Sequence, residues 1–462
     1  MRQQSRHPRC DGTNLMPIRP TRLLLLLLPA LVAAWPACAE EVRTLTLDQA
    51  LAIAGERNRA IALAAEFRNR AEGFYVAERA AALPRLTARG TLARGDDDLP
   101  GTPHYDRRAA ALQLDQALFT WGELQAAVRA AQINLQSADE RVRASRQDAL
   151  REAATAFYDV LLARELNDVF SANLAQKNRR LGEARQRQAV GLATDYDVLV
   201  AEVAEANARP EVVRTANLIR SRRDRLRLVL GSDAAVDAAG SLAAEPAAPP
   251  AYDTALAVAR ERRPELRDLR HRLAIAGELV TVARAGDKPR LDLNGVYGRE
   301  EIETPDNRND ANRWEVGLTF SWPLFDGLKT RGRVQQAKSD LAALRIDEQL
   351  LLDSVALEVR ETIDRMQVAI ELVRALDDTV TQADRLLRLA EKGFEYGVKI
   401  RLEVDDAELN LRQARSSLAQ ARRDYLVAGI DLARAMGILG EETFPGLAVS
   451  PAAPHLSTTG AN

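Results

Sequence analysis

The sequence predicts an α+β protein made mainly of long α-helical hairpins, with two β-hairpins set among them. Three observations predict it. Residues 333–392 and 123–181 contain neither Gly nor Pro and are rich in Ala, Leu, Arg, Glu and Gln, all strong helix formers. The first stretch would make roughly 90 Å of helix at 1.5 Å per residue, whereas helices average about 11–12 residues. Each stretch follows a segment in which apolar and polar residues alternate, the period of a strand with two unlike faces. The same order of segments then occurs twice, about 205 residues apart, which makes an internal duplication.

At the start of the chain, Arg19 and Arg22 precede a leucine run at 23–28, and Ala37-Cys38-Ala39 stands before Glu40. A basic region, a short apolar core and an A-x-A site describe a secretory signal peptide over residues 1–39. The run is too short for a membrane anchor, which needs about 20 apolar residues. The polar segment 1–15 makes Met16 an alternative start. Lipidation at Cys38 is disfavoured, because Trp35-Pro36-Ala37 is a poor lipidation signal. Cys10 and Cys38 both precede Glu40, so the mature chain is expected to lack thiols, which fits an oxidising compartment.

The first repeat covers residues 40–231. A short and then a longer helix are expected over 44–82, ending before Pro84. Residues 85–94 alternate weakly, with Leu86, Ala88, Gly90 and Leu92 opposed to Arg85, Thr87, Arg89 and Thr91. A polar loop at 96–105 leads to a second strand at 108–119, which completes a β-hairpin over 85–119. A helical hairpin over 122–231 follows, turning at Gly191 into a returning helix from Asp195, with a kink expected at Pro210. Residues 232–252 read as a Pro/Ala-rich connector.

The second repeat covers 253–440. Its β-hairpin, 290–322, has a strand near 291–299, an acidic loop at 301–312 and a strand from Trp314. There Trp314, Val316, Leu318, Phe320 and Trp322 alternate with Glu315, Gly317, Thr319 and Ser321. Pro323 and Gly327 break this strand, and a helical hairpin runs from 327 to 438, turning at Gly393 and Gly397. Leu341, Leu344, Leu351 and Val355, then Ile363, Met366, Ile370, Val373 and Val380, keep a heptad-like rhythm after one register shift. Residues 441–462 read as a flexible tail.

No stretch after the signal is apolar enough for a transmembrane helix, so a membrane crossing requires a closed barrel. Strands of about 10 residues match the 9–11 of a tilted barrel strand. Trp314 and Trp322 bracket an apolar face as membrane girdles do, so Trp314, Val316, Leu318, Phe320 and Trp322 are expected to face lipid. The first hairpin shows no such girdle.

Chemistry is sparse. The four histidines are scattered, and no His, Cys or carboxylate cluster has metal-ligand spacing. Phosphate loops, nucleophile elbows and zinc-protease motifs are absent from the sequence. Neither enzyme activity, cofactor nor metal is expected. With 64 basic and 66 acidic residues, no global attraction to nucleic acid is expected, and the arginines at 220–227 read as a solvated helix face.

The signal peptide, the segment TLTLDQALAIAGER at 44–57, the doubled strand–helix order and the two helical turns resemble the TolC-like outer-membrane efflux family. The first turn, Val190 to Leu199 with Ala201-Glu202, is a close match. The second, Tyr396-Gly397-Val398-Lys399 through Val404 to Glu408, is looser and carries Asp405 where the family has an apolar residue. The resemblance covers about residues 40–440. It implies a homotrimer forming a twelve-stranded transmembrane β-barrel in the outer membrane, continued by a helical tunnel across the periplasm. It also implies a periplasmic adaptor and an inner-membrane pump of RND, ABC or other class as partners. Barrel physics agrees: four strands cannot close, open edges are not tolerated in lipid, and three copies supply a closed set.

Docking is expected at the tips, through Gly191, Leu192, Ala193 and Thr194 and through Gly397 and Val398. By alignment with the family's tip motif, Glu403 and Asp406 match its aperture acids, and Lys399 and Asp197 its closing basic–acidic pair. The expected function is a passive exit duct for efflux or type I secretion. The competing reading is a non-pore periplasmic coiled-coil protein of structural or adhesive type, which the alternating strands disfavour.

Overall fold

The computed structural model describes residues 42–96 and 104–440. The signal peptide, Cys38 and the tail 441–462 lie outside them. The elements in order are β1 (Arg43–Leu45), α1 (Leu47–Arg57), α2 (Arg59–Ala80), β2 (Arg85–Asp96), β3 (His104–Phe119), α3 (Glu123–Ala189), α4 (Asp195–Leu230), β4 (Val236–Ala238), α5 (Tyr252–Arg262), α6 (Pro264–Arg284), β5 (Arg290–Thr304), β6 (Asn307–Ser321), α7 (Lys329–Glu395) and α8 (Arg401–Ala435).

The duplication is visible in the elements. Helices α3 and α7 have 67 residues each and begin 206 residues apart. Each spans about 100 Å. Strands β2, β3, β5 and β6 form one antiparallel sheet in that order, leaving β2 and β6 as its edges. The β3–β5 pairing joins the two repeats. The helices continue the pattern: α3 packs on α2, α4, α6 and α8, and α7 packs on α5, α6 and α8.

The core sits where α1, α5, α6 and the β1–β4 ladder wrap the long hairpins. Leu226, Leu230, Leu242, Leu266, Val355, Val359, Ile430, Leu432 and Met436 are buried there. The heptad residues Val355, Ile363, Met366, Ile370 and Val373 belong to the same cluster, while Leu351 and Val380 pack on it half-buried. Arg434 ties four helices together at this level: its guanidinium reaches Asp148 of α3 at 2.9 Å, Glu265 of α6 at 3.0 Å and Glu358 of α7 at 3.1 Å. Burial pushes the Glu265 carboxyl up, but the Arg263 and Arg434 guanidinia reverse this and hold it below its ordinary value.

Several elements differ from the sequence expectation. The acidic segment 301–312 is not a loop: β5 and β6 continue through it to a two-residue turn at Pro305-Asp306. Its charges pair across strands, Arg299 with Asp310, Arg308 with Glu301 and Arg107 with Glu300, so alternation of charge replaces alternation of hydrophobicity. Helix α7 runs through Gly393, expected as an end, and begins before Gly332. One glycine costs only about 1 kcal/mol in a helix interior, too little to end a helix packed along its length. Helix α4 holds Pro210 inside its span, where the sequence places it. The connector 232–252 holds β4, which pairs in parallel with β1 and buries Val236. Asp237 is held there by Arg164 and Arg223.

Candidate functional site: the sheet faces and the helical tips

Directly paired residues of an antiparallel sheet share a face, so the register sorts the side chains. One face carries Leu86, Ala88 and Gly90 of β2 beside Leu114, Leu112 and Ala110 of β3. Leu112 pairs with Tyr297 and Leu114 with Gly295 of β5. Tyr297, Gly295, Leu293 and Leu291 pair in turn with Trp314, Val316, Leu318 and Phe320 of β6. All four strands thus contribute to one apolar surface, about 20 Å along the strand from Trp314 to Phe320. Trp314, Val316, Leu318, Phe320 and Trp322 are exposed in the single chain.

The other face is polar. Asn294 donates to Asp115 at 2.9 Å, Thr319 donates to the Asn294 side-chain oxygen at 2.9 Å, and Gln113 donates to Asp115 at 3.2 Å. Toward the hairpin turns the apolar face ends in charge, with Arg94, Asp106, Glu303 and Arg308 in one row. Toward the helices it ends in aromatics in both repeats. Phe119 packs edge-on against Trp121 at 5.3 Å, and Trp322 and Phe325 are exposed. The first hairpin therefore does carry aromatics at its helical end. Trp121 stands outside the alternating run, so the period of the strand does not reveal it.

The two tips are equivalent in detail. At the first, the Leu192 N–H donates to Arg187 O at 2.8 Å and the Gly191 N–H to Gln188 O at 2.9 Å. At the second, the Val398 N–H donates to Gly393 O at 2.8 Å and the Gly397 N–H to Phe394 O at 3.1 Å. These are Schellman closures, which need a left-handed residue; Gly191 has φ +75° and Gly397 φ +71°. Leu192 and Val398 are each 78% exposed. Ala193 is half-buried and Thr194 exposed.

Two of the expected gate residues cap their own helices within the chain. Asp197 is the third residue of α4 and closes a capping box: it accepts from the Thr194 N–H at 2.8 Å and the Thr194 hydroxyl at 2.7 Å. Glu403 is the third residue of α8, and it accepts from the Ile400 N–H at 3.0 Å and pairs with Lys399. The expected Lys399–Asp197 pair is therefore not formed within the chain, because each side chain has a nearer partner on its own helix end. The Asp197 carboxyl is held below its ordinary value by the Thr194 N–H and then the Thr194 hydroxyl. Lys399 and then the Ile400 N–H do the same for Glu403. Asp406 is exposed.

One turn further along α8 lies a cluster that the sequence reading missed. Asp405 and Glu408 face Lys177 and Arg180 of α3. Lys177 Nζ is 2.8 Å from Glu408 and 3.2 Å from Asp405, and Arg180 reaches Asp405 at 2.8 Å and also pairs with Glu408. Gln176 donates to Glu408 at 2.6 Å. The Glu408 side chain is only 4% exposed. Burial pushes both Lys177 and Arg180 below their ordinary values, with Arg401 adding to the effect on Arg180. Asp405, the departure from the family pattern, thus has partners of its own. The spacing of Lys177 to Arg180 and of Asp405 to Glu408, three residues on one helical face each, was the available signal.

Among the described residues no helix is long and apolar enough to cross a membrane, and no group of His, Cys, Asp and Glu could hold a metal ion. A sheet apolar on one face, with two open edges and long helical hairpins on the same chain, defines a channel-forming subunit.

The outer membrane efflux protein family matches over residues 50–232 and again over 255–438. The chain belongs to that family. It is 26% identical to the outer membrane protein TolC of Vibrio cholerae, over 79% of this chain and 84% of that one. It is also 26% identical to the alkaline protease secretion protein AprF of Pseudomonas aeruginosa, over 79% and 78%. Its fold matches the open-state MtrE outer membrane channel of Neisseria gonorrhoeae with a TM-score of 0.72 and 20% identity, over 85% of this chain and 89% of that one. The protein is an outer-membrane exit channel serving efflux or secretion, extending into the periplasm, and its relatives are channel proteins rather than enzymes.

Proposed function

We propose that three copies of this chain form a passive exit duct of a tripartite efflux or type I secretion system. An inner-membrane pump supplies the energy, and a periplasmic adaptor docks at the two tips. The duct needs no cofactor and catalyses no reaction. The observation that carries this reading is the single apolar face shared by all four strands of a sheet whose edges are both open. Unpaired strand edges are not stable in lipid, and a head-to-tail association of three sheets removes them. In this reading Trp314, Val316, Leu318, Phe320 and Trp322 face lipid, and the Asn294–Thr319 side lines water. Leu192, Ala193, Thr194 and Val398 offer the adaptor a small apolar surface beside Gly191 and Gly397. Asp406, with Glu403 and the Lys399 and Asp197 charges, surrounds the narrow aperture and sets its ion preference.

Substitution on the two faces tests the reading. Leu318→Arg should lower the yield of inserted trimer, by roughly 2–4 kcal/mol if it lies near the midplane. Thr319→Arg should insert normally. Equal yields for the two variants would refute the assignment of faces.

A further inference from the structure

Between the sheet and the waist, the helices enclose a groove large enough for a small molecule. It runs along α3 between α2 and α6 and has a volume of about 860 Å³. Ligand sites usually measure about 300–1,000 Å³. Its floor is α3, which offers Ala127, Ala130 and Ala138. Its walls are Phe67 and Phe74 of α2 and Ile275, Leu279 and Val282 of α6. Small side chains on the middle helix and large ones on its neighbours make the recess. Phe67, Phe74 and Leu279 remain half-exposed there.

The charges of the groove are unevenly placed. The Arg70 guanidinium lies over the Phe67 ring, 5.1 Å from its centre. Among the described residues Arg70 has no carboxylate partner. Arg141, on the floor, is already tied to Asp268 at 3.0 Å. Glu78 lines the groove further along α2, about 12 Å from Arg70. A guanidinium seated on an aromatic face and lacking a carboxylate suits an anion, and Glu78 repels an anion from its own end.

The groove also lies on a definite side of the helices. Past Arg141 it continues along Ala144, Asp148 and Glu152 of α3. Leu150 and Ala154, two residues on from Asp148 and Glu152, point about 200° away round the helix, into the waist core. Helices α1 and α5 and the β1–β4 ladder add a second layer on that core side. The groove is on the bare side, which lines the bore in the trimeric reading.

We propose that this groove binds a small amphipathic anion, an aromatic or alkyl body that carries one carboxylate or sulfonate. The anionic group sits at Arg70 and the body lies along Phe74 and Leu279. The proposal rests on the exit-duct reading for the position of the site in the wall of the bore, and it names a class of solute that dwells there in transit. Two properties of the groove select this occupant. The apolar walls favour a body that leaves water, and the one unmatched cation favours a single negative charge at one end.

Calorimetric titration of the intact protein in lipid nanodiscs with 1-naphthalenesulfonate tests this, with empty nanodiscs as the blank. The expected result is saturable binding of one molecule per chain. Arg70→Gln should weaken it about tenfold, the loss of one charge-assisted hydrogen bond, and Ala127→Trp, which fills the floor, should abolish it. Arg70→Gln changes one exposed side chain, so it reads the site even where Ala127→Trp fails to assemble. The cation 1-naphthylmethylammonium, with the same body, should bind at least about tenfold more weakly than the sulfonate. Unchanged sulfonate binding in Arg70→Gln would overturn the site, and equal binding of the two probes would overturn the preference for anions. Sedimentation of the same samples separates the two readings. A trimer that binds no sulfonate would remove the groove and leave the duct, whereas a monomer that binds it would remove the duct and leave the groove.

Discussion

The waist and the tips share the four helices of the long hairpins but are held in unlike ways. At the waist, side chains as large as Leu226, Leu230, Leu266, Ile430 and Met436 are fully buried in one continuous cluster. Toward the tips the buried clusters shrink to Ala383, Leu411 and Ala414, and then to Ala390, Val404 and Ala407. A fully buried Leu contributes about 1.5–3 kcal/mol, and an alanine methyl far less. What joins the hairpins near the tips is the four-charge cluster of Lys177, Arg180, Asp405 and Glu408. The difference teaches that the waist is held by hydrophobic burial, while electrostatics joins the hairpins near the tips.

The sharpest test of the contrast is Glu408→Ala. It leaves two half-buried cations facing one exposed carboxylate, and breaking a buried pair costs about 3–5 kcal/mol. Amide hydrogen exchange should accelerate along the tip half of α8 and stay slow around Ile430 and Met436. Uniform acceleration would erase the distinction between the two regions. At the waist, Leu230→Ala should destabilise by about 3 kcal/mol and lower the thermal midpoint of the whole protein. A change confined to the tips would show that the waist is not the common core.

The smallest effect lies in the caps. Thr194→Ala removes the N-cap of α4 and should cost about 1 kcal/mol, seen as faster exchange of the first α4 amides. Acidification should act on the same place. The Asp197 and Glu403 carboxyls are held below their ordinary values in the folded chain. Their stabilisation is therefore complete above the ordinary carboxylate pKa of about 4 and is lost as pH falls through the depressed values. Both tips should fray on acidification below about pH 4 while the waist remains folded. Tip exchange that does not change over that range would remove the capping role.

Much of the protein was decided by local pattern. The strand faces followed from period two, the long helices from the lack of Gly and Pro, and the tips from Gly191 and Gly397. The buried heptad residues Val355, Ile363, Met366, Ile370 and Val373 followed from spacing alone. Each of these is set by a residue and its near neighbours, so one chain read in order suffices. The strands β1 and β4 were not legible, because three residues show no period and their pairing spans 193 positions from Arg43 to Val236. The acidic run 301–312 looked like a loop until its charges were set opposite their partners on neighbouring strands. The charges of Asp197 and Glu403 were legible in the sequence, whereas their helix-capping contacts depend on the geometry of the turn. Lys177, Arg180, Asp405 and Glu408 became a site only when α3 and α8 were brought side by side. Separations of more than 200 residues are closed by tertiary packing, and the partner of a charge is decided by what packing leaves within about 4 Å of it.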